Sequence, residues 1–368
     1  MEHEPGLSRS RLGTPALLLD LDVLEHNVAT MAACARAAGV ALRPHAKTHK
    51  SPEVARLLCR AGALGASCAT AEEAESMAAA GISGVLITSP ISTVHALDRV
   101  HRVLSRGGDL MLLADHPDQV RQYAAIAAQL PQPLRVLIEL DVGVGRTGCV
   151  EIPEALALAK YIAKCHSLRF AGVQAYWGHL QQVQSFSERR RRVEEQAQRL
   201  ANLITVLTEN ELKPEIVTGG GTGTHWIDGQ TGLFTELQPG SYIFLDSCYA
   251  PLEMSPEPNP FRPALFVAAG VISANRPDRV IVNAGFKALA TDSGKPLPVR
   301  GAPANATYRF FGDEHGAIEF TGGPPPALGS TIELLTSHCD PTVNLHSRYQ
   351  VVRGETIVDE WPITARGY

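Results

Sequence analysis

The densest run of reactive side chains is Arg43-Pro44-His45-Ala46-Lys47-Thr48-His49-Lys50. A lysine amine crowded by other cations and partly withdrawn from water loses basicity. It can then attack a carbonyl and form a Schiff base. Lys47 lies nearer than Lys50 to the apolar run before it, which makes it the better nucleophile. A second run, Thr218-Gly219-Gly220-Gly221-Thr222-Gly223-Thr224, lets backbone N–H groups close on a phosphate, and its hydroxyls add donors. Pro239-Gly240-Ser241-Tyr242 would be its neighbour. The run is neither a P-loop nor a dinucleotide fingerprint. Arg146, in the glycine-rich turn Asp141–Gly148, suits a phenolate or carboxylate partner. In Gln174-Ala175-Tyr176-Trp177-Gly178-His179, Tyr176 could touch an aromatic ring, and His179 could act as a general base near neutral pH. In Ser337-His338-Cys339-Asp340-Pro341-Thr342, an extended backbone would put His338 and Asp340 on one face. An imidazole and a carboxylate, completed by water, suit Mn²⁺, Mg²⁺ or Zn²⁺.

Each motif alone also fits an ordinary role. These are a solvated lysine, a glycine turn without a ligand, a surface arginine, a solvated loop histidine and a hydrogen-bonded His–Asp pair.

The elements that must position these residues alternate between helix-like and strand-like up to about residue 250. The apolar runs are 40–42, 63–66, 84–87, 109–113, 134–139, 170–175, 215–217 and 242–245. Buried parallel strands read as continuous apolar runs, and this many, separated by helices, predict a (β/α)8 TIM-like barrel. The active face of such a barrel is the C-terminal end of its strands, where Lys47, Arg146, Tyr176 and the glycine run all fall. Asp22 with Glu25, and Thr70 with Glu73, predict two helix caps. Ala16–Asp20 predicts an extra strand before the first barrel helix. A Pro-rich stretch, PLEMSPEPNPFRP, then leads into strand-like runs separated by Gly and Pro turns. The reading is a barrel over 14–250 and an all-β domain over 251–368.

Lys and Arg total 33 against 38 Asp and Glu, a net charge of −5, which argues against a nucleic-acid partner. The basic run Arg189–Arg192 is followed by Glu194 and Glu195 and reads as a solvated helix face. No apolar stretch reaches the roughly 18 residues a membrane helix needs. The N-terminal residues hold no apolar core of a signal peptide. The 7 cysteines form no CxxC pair, so free thiols in the cytoplasm are expected.

Taken together and in this order, the Lys47 run, the Gly-Gly-Gly-Thr-Gly stretch, Pro239-Gly240-Ser241-Tyr242 and His338-Cys339-Asp340-Pro341-Thr342 resemble the D-threonine aldolase / D-serine dehydratase family of alanine-racemase-like enzymes. The resemblance runs from about Thr14 to Tyr368. It implies a homodimer with pyridoxal 5'-phosphate held on Lys47. Arg146 would lie near the phenolic oxygen and Tyr176 near the ring, with Thr222, Gly223, Gly240 and Ser241 around the phosphate. It implies that His338 and Asp340 hold the divalent metal. The substrate would be a D-3-hydroxy amino acid, cleaved to glycine and an aldehyde. The alternative is dehydration of D-serine or D-threo-3-hydroxyaspartate, but that branch usually carries Cys where this chain has Asp340. Two departures stand out. Relatives often have His at the position of Gln182, where this chain reads Gln181-Gln182, so the base is His179 or lies elsewhere; they also have Asp at the position of Asn283. Lys287, close to Asn283, is a candidate contact for a substrate carboxylate.

Overall fold

The structure is a computed structural model and describes residues 8–367. Among them no helix is long and apolar enough to cross a membrane. Strands β2 (Ala41–Leu42), β3 (Ser67–Cys68), β4 (Val85–Ile87), β5 (Leu110–Ala114), β6 (Leu134–Leu140), β7 (Leu168–Ala175), β8 (Ile216–Gly219) and β9 (Glu236–Leu237) form one parallel sheet, ordered β2-β9-β8-β7-β6-β5-β4-β3. Its two edges meet. Leu64 donates to the Leu42 carbonyl at 2.8 Å, and Ser67 to that of Pro44 at 2.9 Å. His45 and Ser67 form a parallel bridge. The sheet is therefore the expected barrel.

Alternation along the strands divides the core. Leu86, Met111, Leu113, Leu137 and Ala171 form a separate buried cluster, the filling of the ring. Their neighbours Val85, Ile87, Leu112, Val136 and Ile138 belong to the large core beneath the helices. Further along the inward face the lining turns polar, at Glu139, Gln174, Thr218 and Gln238. This polar layer is the floor of the cavity described below.

Three local expectations need correction. Tyr242–Leu245 is not the eighth barrel strand. Ser241–Ile243 is a buried 3-10 turn, and the eighth strand is Glu236–Leu237, which pairs with Ala41 and Leu42. The Pro239-Gly240 step ends extension there, and an apolar run reports burial rather than period. The second barrel strand is Ser67–Cys68 rather than 63–66. Leu64 is exposed, and Gly65 turns at φ +148 with no room for a Cβ beside the Ser83 and Gly84 carbonyls. The first helix, α1 (Leu21–Ala38), is capped by Asp20, whose Oδ1 accepts the Val23 N–H at 3.1 Å. Asp22 and Glu25 instead pair with Arg353. The Thr70 cap stands, its Oγ1 accepting the Glu73 N–H at 3.2 Å.

Strand β1 (Ala16–Asp20) lies in the second sheet, with β10 (Leu265–Ser273), β11 (Arg279–Val282), β12 (Leu297–Arg300), β13 (Thr307–Phe310), β14 (Gly316–Glu319), β15 (Thr331–Leu335), β16 (Arg348–Arg353) and β17 (Thr356–Pro362). The order is β13-β14-β11-β10-β1-β16-β17, with β15 against β10 and β12. β1 runs antiparallel to β10 and parallel to β16.

Candidate active site

The barrel mouth holds a cavity. Lys47, Arg146, Tyr176, Thr222, Gly240 and Ser241, all expected at the site, line it. Lys47 stands on a short turn, Ala46–Thr48, after β2, and its side chain is 42% exposed. Lys50 is elsewhere. It is buried with a left-handed backbone, pairs with Glu73 at 3.1 Å and donates to the Ala365 carbonyl at 3.3 Å. The preference for Lys47 thus has a geometric basis.

Behind Lys47, His45 is buried. Its Nδ1 accepts the Lys47 N–H at 3.4 Å, and its Nε2 lies 3.0 Å from the Thr88 hydroxyl, which itself donates to the Cys68 carbonyl. Only the neutral ring protonated on Nε2 satisfies all three bonds. Burial, then the Lys47 charge, pushes this imidazole well below its ordinary pKa. The floor is one connected network. Gln174 Nε2 donates to Glu139 at 3.1 Å and to the Thr88 carbonyl at 3.0 Å, and Gln238 Nε2 donates to Gln174 at 3.0 Å and to Thr218 at 2.8 Å. Burial raises the Glu139 carboxyl.

Arg146 sits at the rim, 5.9 Å from the Tyr176 ring centroid. Asp141 holds its turn by accepting the Gly143 and Gly145 N–H groups at 2.9 and 3.1 Å, and Asp115 accepts that of Gly148 at 2.9 Å. Burial raises the Tyr176 phenol despite the opposing charges of Lys47 and Arg146, so it stays protonated at neutral pH.

Four expected residues lie off the cavity wall: Gly223, His179, His338 and Asp340. Gly223 packs against Gln181, and His179 is exposed with its ring 3.3 Å from where a Cβ on Gly143 would stand. Gln182 is exposed too. Lys287 pairs on the surface with Glu314 at 2.6 Å, and Asn283 ties Gly270 to Thr14.

The His338–Asp340 stretch is not extended throughout. His338 is, but α9 (Cys339–Leu345) begins directly after it, so the shared-face argument from a strand does not apply. The Cys339 N–H is anchored by the buried Asp246 carboxylate at 2.8 Å. Asp340 reaches out of the second lobe and forms an ion pair with Lys47. Burial alone would lower the Lys47 ammonium's pKa, but the Asp340 carboxylate outweighs it and the net shift is upward. Burial likewise opposes ionisation of Asp340, and Lys47 overcomes it, holding that carboxyl well below its usual range. His338 Nδ1 lies 2.6 Å from Asp292, which leaves Nε2 as its free donor atom. No cluster of three or more metal-type side chains occurs among the described residues.

Thr48, Thr88, Gln174, Gln238 and Asp292 carried no separate signal in the sequence reading. Gln174 could have been found, as a polar residue placed where the inward-facing apolar row of β7 ends. Asp292, far from His338 in the chain, had none.

The family model of the alanine racemase N-terminal domain matches residues 19–248, and that of a serine dehydratase domain matches 264–352. A D-threonine aldolase of an Arthrobacter species is 38% identical over 366 residues, covering 99% of this chain and 96% of that protein. A 3-hydroxy-D-aspartate aldolase of Paracoccus denitrificans is 34% identical over 368 residues, covering 99% and 94%. The crystal structure of D-threonine aldolase from Filomicrobium marinum superposes with a TM-score of 0.94 at 37% identity, covering 99% and 98%. A D-threo-3-hydroxyaspartate dehydratase of a Delftia species is more distant, 27% identical over 373 residues, covering 95% and 97%.

Proposed function

The chain belongs to the alanine racemase N-terminal domain family, and we propose that it is a lyase dependent on pyridoxal phosphate and a divalent metal, cleaving D-3-hydroxy amino acids of the D-threonine kind to glycine and an aldehyde. The observation that carries this reading is the meeting of Lys47, from the barrel, with Asp340, from the second lobe. It brings a Schiff-base amine and a metal-type carboxylate to one point.

The cavity suits the cofactor. The Thr48 hydroxyl on its wall is buried and without a partner among the described residues, and a Cβ on Gly240 would stand 2.5 Å from it. Lys47 Nζ would hold the cofactor's carbonyl carbon, Tyr176 and His45 its ring, Arg146 its phenolic oxygen, and Thr222 and Ser241 its phosphate. Gly223, also expected there, would act by shaping the loop. When bound, the cofactor supplies an electron sink for the pair left on Cα as Cα–Cβ breaks. The donor set at the lobe boundary, imidazole Nε2 of His338 and the Asp340 carboxylate, suits Mn²⁺, Mg²⁺ or Zn²⁺. Such an ion supplies acidity to a bound hydroxyl.

The chain's own groups then orient and move protons. The polar floor of Gln174 and Gln238 would supply hydrogen-bonding groups to the bound ring. The neutral His45 keeps a second cation away from the ring. Tyr176 and Tyr249 add aromatic walls to the cavity. Lys47 Nζ is the amine placed to return a proton to Cα. For His179 to take the hydroxyl proton, its ring must turn from Gly143 towards the mouth.

Asp340 supports cleavage over dehydration, as does the higher identity to the aldolases. D-threonine supplied to the chain with Mn²⁺, after EDTA treatment, should yield glycine in excess of 2-oxobutyrate. The reverse ratio would make it a dehydratase. In this reading the protein is a cytoplasmic homodimer. The exposed Phe286, Leu297, Val299 and Phe311 of the second lobe support an interface, and the free cysteines among the described residues support a reducing compartment.

A further inference from the structure

The glycine run is fastened from behind by three side chains that never reach the cavity. Asp228, wholly buried on the short helix α8 (His225–Gln230), accepts the Gly221 N–H at 3.3 Å and the Thr224 hydroxyl at 2.6 Å on one oxygen, and the Trp177 indole N–H at 2.9 Å on the other. Gln181, also buried, accepts the Gly223 N–H at 3.0 Å and donates to Thr224 at 2.9 Å. His225 Nδ1 lies 2.8 Å from the Thr222 carbonyl, so the ring donates there. The fit leaves no slack. A Cβ on Gly220 would stand 2.4 Å from Asp228, and one on Gly221 2.4 Å from Gln181.

This arrangement sorts the loop. The N–H groups of Gly221 and Gly223 are drawn backwards, and the residue between them, Thr222, lines the cavity. Its Oγ1 accepts the Tyr242 N–H at 3.1 Å, which leaves the hydroxyl proton to point elsewhere. The same Asp228 carboxylate holds Trp177, the residue after Tyr176. One buried group therefore ties the ring-contacting strand end to the anion-binding loop.

We propose that Asp228, Gln181 and His225 are positioning residues for the cofactor's phosphate, acting through the backbone of residues 221–223. The inference rests on the reading of the cavity as a pyridoxal phosphate site. It concerns only the phosphate end, so comparing pyridoxal phosphate with pyridoxal isolates it.

In Asp228→Asn the shape is kept, but one side of the amide must face donors with donors. Titration of the full chain by quenching of tryptophan fluorescence should show affinity for pyridoxal phosphate weakened on the order of tenfold or more. Affinity for pyridoxal should change less than about twofold. Gln181→Met, which keeps the length and removes the bonds, should behave alike and guards against a folding failure of the first variant. The inference is overturned if either folded variant keeps the wild-type ratio of the two affinities, or if both ligands weaken equally. If the wild-type chain itself does not prefer pyridoxal phosphate to pyridoxal, the cofactor reading falls, and the inference with it.

Discussion

The glycine loop lines the cavity and the His338 corner reaches it through the Asp340–Lys47 ion pair, but the two are built in opposite ways. The loop is closed over by buried side chains that spend their hydrogen bonds on its backbone. At the corner, His338 leans on an Asp292 that is about half exposed, and Asp340 is engaged by the very amine proposed to do the chemistry. A site for a constant group can be finished in advance, because its ligand is the same at each turnover. A site that must admit and release a substrate hydroxyl keeps exchangeable partners. Rigidity and exchangeability are here assigned to different lobes.

The sharpest way to break the comparison is to remove the residue at which the two walls meet. Lys47→Ala should abolish the visible absorption band of the bound cofactor and lower turnover at least about a thousandfold. A variant that kept both would end the proposed function. The next largest effect concerns the rigid wall. Burial pushes the His225 imidazole down to about 4, and the same cause takes His49 to about 4. Their folded values lie below the unfolded value of about 6.5, so the unfolded chain binds more protons between these limits. The stability they contribute is present above about pH 6.5 and is lost as the pH falls towards 4, at up to about 3 kcal/mol per group. Thermal melts across this range should show the fall, and His225→Gln should remove about half of it.

The exchangeable corner answers to a smaller change. Asp292→Asn should weaken Mn²⁺ binding about 10- to 100-fold in a chelator competition, because the imidazole loses the carboxylate that fixes its tautomer. Unchanged binding would remove Asp292 from the account. The smallest effect is expected at His179, which lies outside the cavity wall. His179→Ala should cost less than about threefold in kcat/KM, whereas a loss of the 10²–10⁴-fold typical of a general base would show that its ring turns inward.

Much of the barrel was legible because its strands are buried on both faces and announce themselves as apolar runs. The candidate residues of the barrel were legible because they follow those runs. What failed had a common cause. Tyr242–Leu245 is as apolar as a strand, yet its shape is set by the Pro239-Gly240 step and by the closure of β9 on β2, not by its own pattern. Strand spacing does not govern His338–Asp340, because the helical turn that follows His338 is anchored by Asp246, distant in the chain. The floor and the loop fasteners are polar residues among apolar ones, and what they do appears only when other strands are in place. Gln181 shows this. The sequence marks it only as part of a departure from relatives, and the fold puts it behind the glycine run.

The first strand, Ala16–Asp20, is sandwiched between β10 and β16 of the second lobe, yet it leads directly into the first barrel helix. The chain's beginning is therefore stitched through its end. A graft that exchanges lobes between relatives cannot simply be cut near residue 250. The donor of the second lobe must also lend this opening segment, or the chimaera will be left with an open seam in the middle of its sheet.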